Sequence, residues 1–170
     1  AVGVAHGTVG WVMLELPRLG YVANVGGRRR LVDGERLLDR WTEAYARTLR
    51  PKLLLGRYQG DLDALQRVTP WPGGVLIGGE LAAARLTRHL RPGTATFYAQ
   101  VLDPKALLKL VLKADTEGNV DFRRRFWNFP AKETPLTPNL LVYADLLAIG
   151  DARCLETAQL LRGPLIARLV

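Results

Sequence analysis

The sequence predicts an α+β fold in two parts, residues 1–50 and residues 51–170. Three observations support this. The first part carries a helical pattern, two short strand patterns and another helical pattern, whereas short strands and helices alternate through the second part. The 170 residues are 48% hydrophobic and 24% charged, which is typical of a chain with a folded core. We place the boundary near residues 50–60 and expect a mixed sheet after it.

The first predicted element is a helix over residues 8–20. Its apolar residues follow the spacing of one helix face, which we expect to point to the core: Val9, Val12, Met13 and Leu16. Thr8, Trp11, Glu15 and Arg18 would then point outward.

A hairpin follows, because two strand-like segments flank Gly26-Gly27, a pair that tolerates the backbone of a tight turn. The second strand carries three successive arginines, Arg28, Arg29 and Arg30. Asp33 is placed to cap the next helix, which should end at Arg50-Pro51.

In the second part, strands are predicted at 52–58, 74–78, 94–101 and 120–127, with a loop at 128–138. Helices are predicted at 61–67, 79–89, 103–112, 139–149 and 152–162. We expect Asp103 and Asn139 to cap two of these helices, and Gly163-Pro164 to end the last. The helix after Asp103 should bury Leu107, Leu108, Val111 and Leu112.

The chain is basic, with 24 Lys and Arg against 16 Asp and Glu, a net charge of +8. Polyanions are therefore plausible partners, although an arginine-rich composition also follows from high genomic GC content. A single cysteine, Cys154, excludes an internal disulfide and favours the cytoplasm, and two histidines make a zinc site improbable. We expect no cofactor, no metal and no membrane span.

A short helix followed by a basic hairpin is the second half of a winged helix-turn-helix. In that interpretation Thr8, Trp11 and Arg18 meet a DNA major groove, and Arg28, Arg29 and Arg30 contact phosphates or a minor groove. The motif would be partial, since its first helix would precede the sequence considered. The alternative is an ordinary helix and hairpin with solvated arginines.

Several segments resemble the AbiEi family of type IV toxin-antitoxin antitoxins, and the resemblance spans nearly the whole chain. They are Gly-Thr-Val-Gly-Trp-Val at 7–12, Leu-Gly-Tyr-Val at 19–22, Arg-Arg-Arg-Leu-Val at 28–32, Leu-Leu-Asp-Arg-Trp at 37–41, the segment 49–58, the turn at 78–83, and the segments 141–148, 150–153 and 156–158.

The resemblance implies a winged helix that binds operator DNA, and a C-terminal α/β domain that counteracts a toxin without binding it stably. It therefore implies a bacterial transcriptional regulator and antitoxin rather than an enzyme. Expected partners are operator DNA and, functionally, the cognate toxin. Homodimer formation is left open.

A competing hypothesis is a magnesium-dependent nuclease with a restriction-endonuclease-like core, active or degenerate, in which Glu80 is the first metal ligand. The usual strand pair is lacking, because the one Asp-x-Lys, Asp103-Pro104-Lys105, falls at a helix start. Glu80 also suits the first turn of a helix, where the helix dipole favours an acid, and we favour this structural role. A non-catalytic interaction module is the third class.

One further polar group stands in an apolar run. Asp145 must find a partner there, and Arg153 is the nearest downstream candidate. With Glu80 and Tyr143 these residues form a candidate functional cluster, against the alternative of a structural ion pair. No serine is present, which excludes serine nucleophile chemistry, and no phosphate-cradling glycine motif occurs. Arg123-Arg124-Arg125 is interpreted as a strand with one aromatic face and one basic face.

Overall fold

The computed structural model describes residues 6–68, 74–128 and 134–169, with the side chains of residues 6–8 left out. It has a two-stranded hairpin and a five-stranded mixed sheet with helices packed around it, so the predicted α+β class is confirmed.

The first part consists of helix α1 (His6–Arg18), strands β1 (Val22–Val25) and β2 (Arg28–Leu31), and helix α2 (Gly34–Ala44). A π-helical turn (Tyr45–Leu49) and a 3-10 turn (Arg50–Leu53) continue α2 to the sheet. The predicted hairpin and the predicted cap are both present, since the Asp33 side chain accepts a hydrogen bond from the Arg36 backbone N–H.

The second part follows in the order β3 (Leu54–Gln59), α3 (Leu62–Arg67), β4 (Leu76–Gly78), α4 (Gly79–Thr87), β5 (Ala95–Ala99), α5 (Pro104–Lys109), β6 (Lys113–Ala114), β7 (Val120–Arg124), α6 (Asn139–Ile149) and α7 (Ala152–Ile166). The strand order is β4-β5-β7-β3-β6. Strand β7 is central: it runs parallel to β5 and antiparallel to β3. Helices α4, α6 and α7 pack on one another, and α4 also contacts β4 and β5.

Packing is continuous across residue 50. Tyr45 precedes that point and Leu53 follows it, yet both lie in one buried cluster with Tyr98, Trp127 and Leu141. Leu38 of α2 belongs to the larger core cluster around the sheet. The division of the chain into two domains stays a prediction.

The prediction that Val9 and Val12 face the core is wrong. Their side chains are 49% and 39% exposed, whereas Met13 and Leu16 on the same helix are half-buried. The physical reason lies in the partner of α1, which is chiefly the short strand β1. A four-residue strand covers only part of a thirteen-residue helix.

The buried stripe predicted after Asp103 is wrong for two of its four residues. Asp103 does cap α5, but this helix is only six residues long, and Leu108 and Val111 are each 77% exposed. Val111 has a left-handed backbone (φ 54), which ends the helical period. Leu112 is buried as predicted and Leu107 is half-buried, and the other buried positions are Ala106 and Leu110.

The start of α6 and the end of α7 differ from prediction. Asn139 is the first residue of α6 rather than its cap, because the backbone carbonyl of Pro138 accepts the hydrogen bonds of the first turn. Helix α7 continues through Gly163-Pro164 to Ile166. Leu165 and Ile166 pack against the core there, and their burial outweighs the loss of one backbone donor at the proline.

Candidate nucleic-acid interface

The basic hairpin is a tight two-residue turn with exposed arginines. Gly26 and Gly27 have φ angles of 59° and 76°, the left-handed region that a type I′ turn requires at both positions. Arg28, Arg29 and Arg30 of β2 are exposed, and none forms an ion pair or a side-chain hydrogen bond with a residue in the described ranges. The hairpin therefore presents to solvent three positive charges that no residue of the described ranges neutralises.

Helix α1 presents side chains beside this hairpin. Trp11 is 65% exposed, and Arg18 is exposed with a 3.4 Å ion pair to Glu15. Thr8 belongs to α1 by its backbone, but its side chain lies outside the described atoms. The outward placement of Trp11 and Arg18 is as predicted, while Glu15 is half-buried.

The hairpin is held at its base. Tyr21 is 1% exposed, and the Arg36 guanidinium of α2 lies 4.9 Å from the centre of its ring. The same guanidinium donates a 3.5 Å hydrogen bond to the Leu19 carbonyl, and the Val32 N–H donates to the Tyr21 carbonyl. These contacts fix the orientation of the hairpin relative to α2.

Asp145 lies elsewhere, in a buried polar network that was not predicted. One of its carboxylate oxygens accepts hydrogen bonds from the Tyr45 hydroxyl at 2.8 Å, the Tyr98 hydroxyl at 3.0 Å and Arg50 Nε at 3.0 Å. Asp145 is fully buried, and the Arg50 side chain is 16% exposed. The partner of Asp145 is thus Arg50, and the expected pairing with Arg153 is wrong.

The proton positions in this network follow from burial. Burial and the charge of Asp145 raise the pKa of both Tyr45 and Tyr98, so both hydroxyls stay protonated as donors. Burial lowers the pKa of Arg50, but the adjacent Asp145 carboxylate raises it by more than burial lowers it. The net pKa lies above its ordinary value, so the guanidinium stays charged. The arrangement is a satisfied ion pair that joins the segment after α2 to α6.

The backbone of β4 comes close to Asp145 at Gly78, where there is no room for a side chain. A Cβ atom at this position would lie 2.8 Å from the Tyr98 ring and 3.1 Å from the Asp145 carboxylate. Gly78 therefore allows close packing of β4 against this network, whereas a Cβ at Gly79 would meet Thr96 of β5.

Glu80 lies in a second polar cluster, at the start of α4. It is 1% exposed and accepts hydrogen bonds from the Gly93 N–H at 2.8 Å and the Thr94 hydroxyl at 2.7 Å. Arg153 lies 3.7 Å from it and also pairs with Asp151 at 2.9 Å. Glu80 thus ties α4 to the loop before β5 and to the start of α7.

This second cluster includes a thiol. Possible ligand atoms of Glu80, Asp151 and Cys154 lie within 4.8 Å of one another. However, burial, followed by the charge of Glu80, raises the pKa of Cys154 to about 12, so the thiol is protonated at neutral pH. Asp151 caps α7 by accepting from the Cys154 N–H, and both Glu80 oxygens already accept protein hydrogen bonds. The donor set is therefore poor for a divalent cation.

Tyr143 belongs to a third location. Its buried hydroxyl accepts a 2.8 Å hydrogen bond from Arg162, which also pairs with Asp39 and Glu35 of α2. The four residues predicted as one polar cluster therefore lie in three separate clusters, each of which connects three or more segments of the chain. Tyr45, Arg50 and Tyr98 were missed because nothing local in the sequence marks contacts between residues 47 to 100 positions apart.

Together these features define a small α+β protein with an exposed cationic hairpin and a body whose buried charges are paired. Residues 30–167 match the family model described as "Transcriptional regulator, AbiEi antitoxin, Type IV TA system". The match covers most of the chain, which therefore belongs to this AbiEi family of regulators and antitoxins, as the sequence resemblance indicated.

The match begins at residue 30, so α1 and most of the hairpin lie outside it. Comparisons with curated proteins and with solved structures found no match. Among the described residues, no helix has the length and apolar character of a membrane-spanning segment.

Proposed function

We propose that the chain binds operator DNA through α1 and the basic hairpin, and thereby represses its own operon. Arg28, Arg29 and Arg30 carry the proposal, since they are exposed and have no ion-pair partner among the described residues. Free guanidinium groups on a narrow hairpin suit phosphate contacts or insertion into a minor groove. Thr8, Trp11 and Arg18 on α1 are the proposed major-groove residues.

The family supports this function in general terms, because its members are described as transcriptional regulators. We place the activity in the cytoplasm, where the DNA of a bacterium lies. The rival nuclease hypothesis receives less support, because Glu80 is engaged by Gly93, Thr94 and Arg153.

We further propose that the α/β part counteracts the cognate toxin without forming a stable complex with it. The support is the antitoxin description of the matched family, whose model covers this part almost completely. Co-expression should restore growth in cells that produce the toxin, while the two purified proteins elute separately in size-exclusion chromatography. Co-elution would contradict the second half of this proposal.

The DNA proposal is tested by a salt titration of binding. Fluorescence anisotropy would compare a duplex from the chain's own upstream region with a scrambled duplex, with Mg²⁺ present and the DNA examined for cleavage. We expect preferential binding to the upstream duplex and intact DNA. Metal-dependent cleavage would instead favour the nuclease hypothesis, and neither binding nor cleavage would favour an interaction module.

The residues are tested by the triple variant R28A/R29A/R30A. Each lost phosphate contact should reduce the slope of log affinity against log salt by about 1. The matched control is K105A/K109A/K113A, which removes the same charge from three exposed lysines of α5 and β6. Equal loss of slope in both variants would show that net charge, rather than the hairpin, drives binding.

A further inference from the structure

An apolar cavity lies between the base of the hairpin and the end of α7. Its volume is about 290 Å³, close to the lower limit of about 300 Å³ for small-molecule sites. Four elements and the chain after α7 supply its walls through Leu31, Leu37, Trp41, Leu140, Leu165 and Leu169. These side chains are only partly buried, so the cavity exposes apolar surface that a closed core would cover.

The cavity is lined by one charged residue, Arg168, among the described residues. Its side chain is exposed and makes no ion pair or hydrogen bond within the described ranges, although its backbone N–H donates to the Leu165 carbonyl. An exposed residue that also lines the cavity marks the point where the cavity meets solvent. This arginine contrasts with Arg50, Arg57 and Arg162 of the same chain, each paired with a carboxylate.

We propose that this cavity binds a small amphiphile with an apolar chain or ring and a single carboxylate. The leucine and tryptophan walls would take up the apolar part, which gains by leaving water. Arg168 would pair with the carboxylate at the rim, and its planar fork fits that group. No other described side chain of the lining carries a charge, so a ligand with several charged groups would lose hydration without compensation.

The site is distinct from the hairpin arginines and from the three buried polar clusters. Leu31 is nevertheless the last residue of β2, so a bound ligand would contact the base of the hairpin directly. Gly34 confines this end, because a Cβ there would lie 3.0 Å from both Leu31 and Leu169. Ligand binding requires no DNA, and its test is therefore independent of the proposed regulator function.

The test uses octanoate as the probe and octan-1-ol as its uncharged counterpart, with affinity measured by calorimetry on the full chain. We expect octanoate to bind about fivefold more tightly than octan-1-ol, the effect of a partly exposed ion pair. Arg168→Gln should abolish this difference, while Arg124→Gln, which removes another exposed arginine on β7, should leave it unchanged.

Two filling variants test the location. Leu165→Trp and Leu37→Phe should each reduce octanoate affinity at least tenfold. A cooperative thermal unfolding transition shows that a variant is folded, and one folded variant is enough for the test. The proposal is overturned if octanoate does not bind the wild-type chain, if the alcohol binds equally well, or if a folded filling variant retains wild-type affinity.

Discussion

The molecule has two runs of three arginines, one on β2 and one that begins on β7, and the first residue of the second run has quite different surroundings from the first run. Arg28, Arg29 and Arg30 lie on a two-stranded hairpin and are all exposed. Arg123 lies on the central strand of the five-stranded sheet, is 3% exposed, and donates hydrogen bonds to the Arg50 carbonyl and to Asp121. Arginines of the first run are therefore available to a ligand, whereas Arg123 of the second run is hydrogen-bonded within the fold.

Within the second run the three arginines also differ from one another. Arg124 is exposed, whereas Arg125 bonds the Trp127 carbonyl and lies over its ring. The sequence interpretation of one aromatic face and one basic face therefore applies only in part. The difference teaches that a basic run suggests polyanion binding only where no carboxylate or carbonyl of the fold has engaged it.

The largest expected effect on stability comes from removing the buried charge of Asp145. Asp145→Ala leaves the buried Arg50 without its carboxylate. It also leaves one of the two tyrosine hydroxyls, which contact each other at 2.5 Å, without an acceptor, so it should lower the free energy of unfolding by about 3–5 kcal/mol. Urea denaturation followed by circular dichroism measures this. Asp145→Asn keeps an acceptor oxygen and should lower the free energy of unfolding by less. If Asp145→Ala is less destabilising than Asp145→Asn, the result would argue against the network.

A second measurement compares two neighbours in one run. Arg123→Met should destabilise the protein by about 2–3 kcal/mol, because two buried hydrogen bonds from a charged group are lost. Arg124→Met should change stability by no more than about 0.5 kcal/mol. If both variants lower the free energy of unfolding equally in chemical denaturation, the distinction between the hydrogen-bonded Arg123 and the exposed Arg124 is wrong.

The pH dependence of stability tests whether the ion pairs of Arg123 and Arg57 with Asp121 stabilise the fold. Burial raises the pKa of Asp121, but Arg57 and Arg123 outweigh this and hold it below its ordinary value of 3.8. A lowered carboxyl pKa gives stability that is fully present well above pH 3.8 and is lost as pH falls through that value toward the folded-state pKa.

Denaturation midpoints between pH 5 and 3 should therefore fall more steeply for the wild type than for Asp121→Asn. Parallel curves would mean that the pair formed by Asp121 with Arg57 and Arg123 adds nothing to stability in acid.

The smallest effect is expected at the hairpin. In R28A/R29A/R30A each change should alter the free energy of unfolding by no more than about 0.5 kcal/mol, since no described partner is lost. The thermal midpoint should thus stay near that of the wild type even where DNA binding is weakened. A large loss of stability would show that these arginines support the fold.

Much of the local structure was predictable. The turn at Gly26-Gly27 and the caps at Asp33 and Asp103 depend on backbone conformation and short-range hydrogen bonds, which neighbouring residues specify. The errors arose where a helical period was taken as proof of burial. Val9, Leu108 and Val111 have suitable spacing, but no element of the described chain covers them sufficiently to bury them.

The sequence by itself determined the class of fold, the family and the presence of a basic hairpin, because these depend on composition, motif order and contacts between near neighbours. Only the tertiary structure decided that Asp145 pairs with Arg50, that Tyr143 bonds Arg162, and that Glu80 bonds Gly93 and Thr94. The pair of Asp145 with Arg50 closes a loop of 95 positions, and the other contacts join residues 13 to 19 positions apart on different elements. All depend on strand order and helix packing, and no local pattern specifies which of many arginines a buried carboxylate will meet.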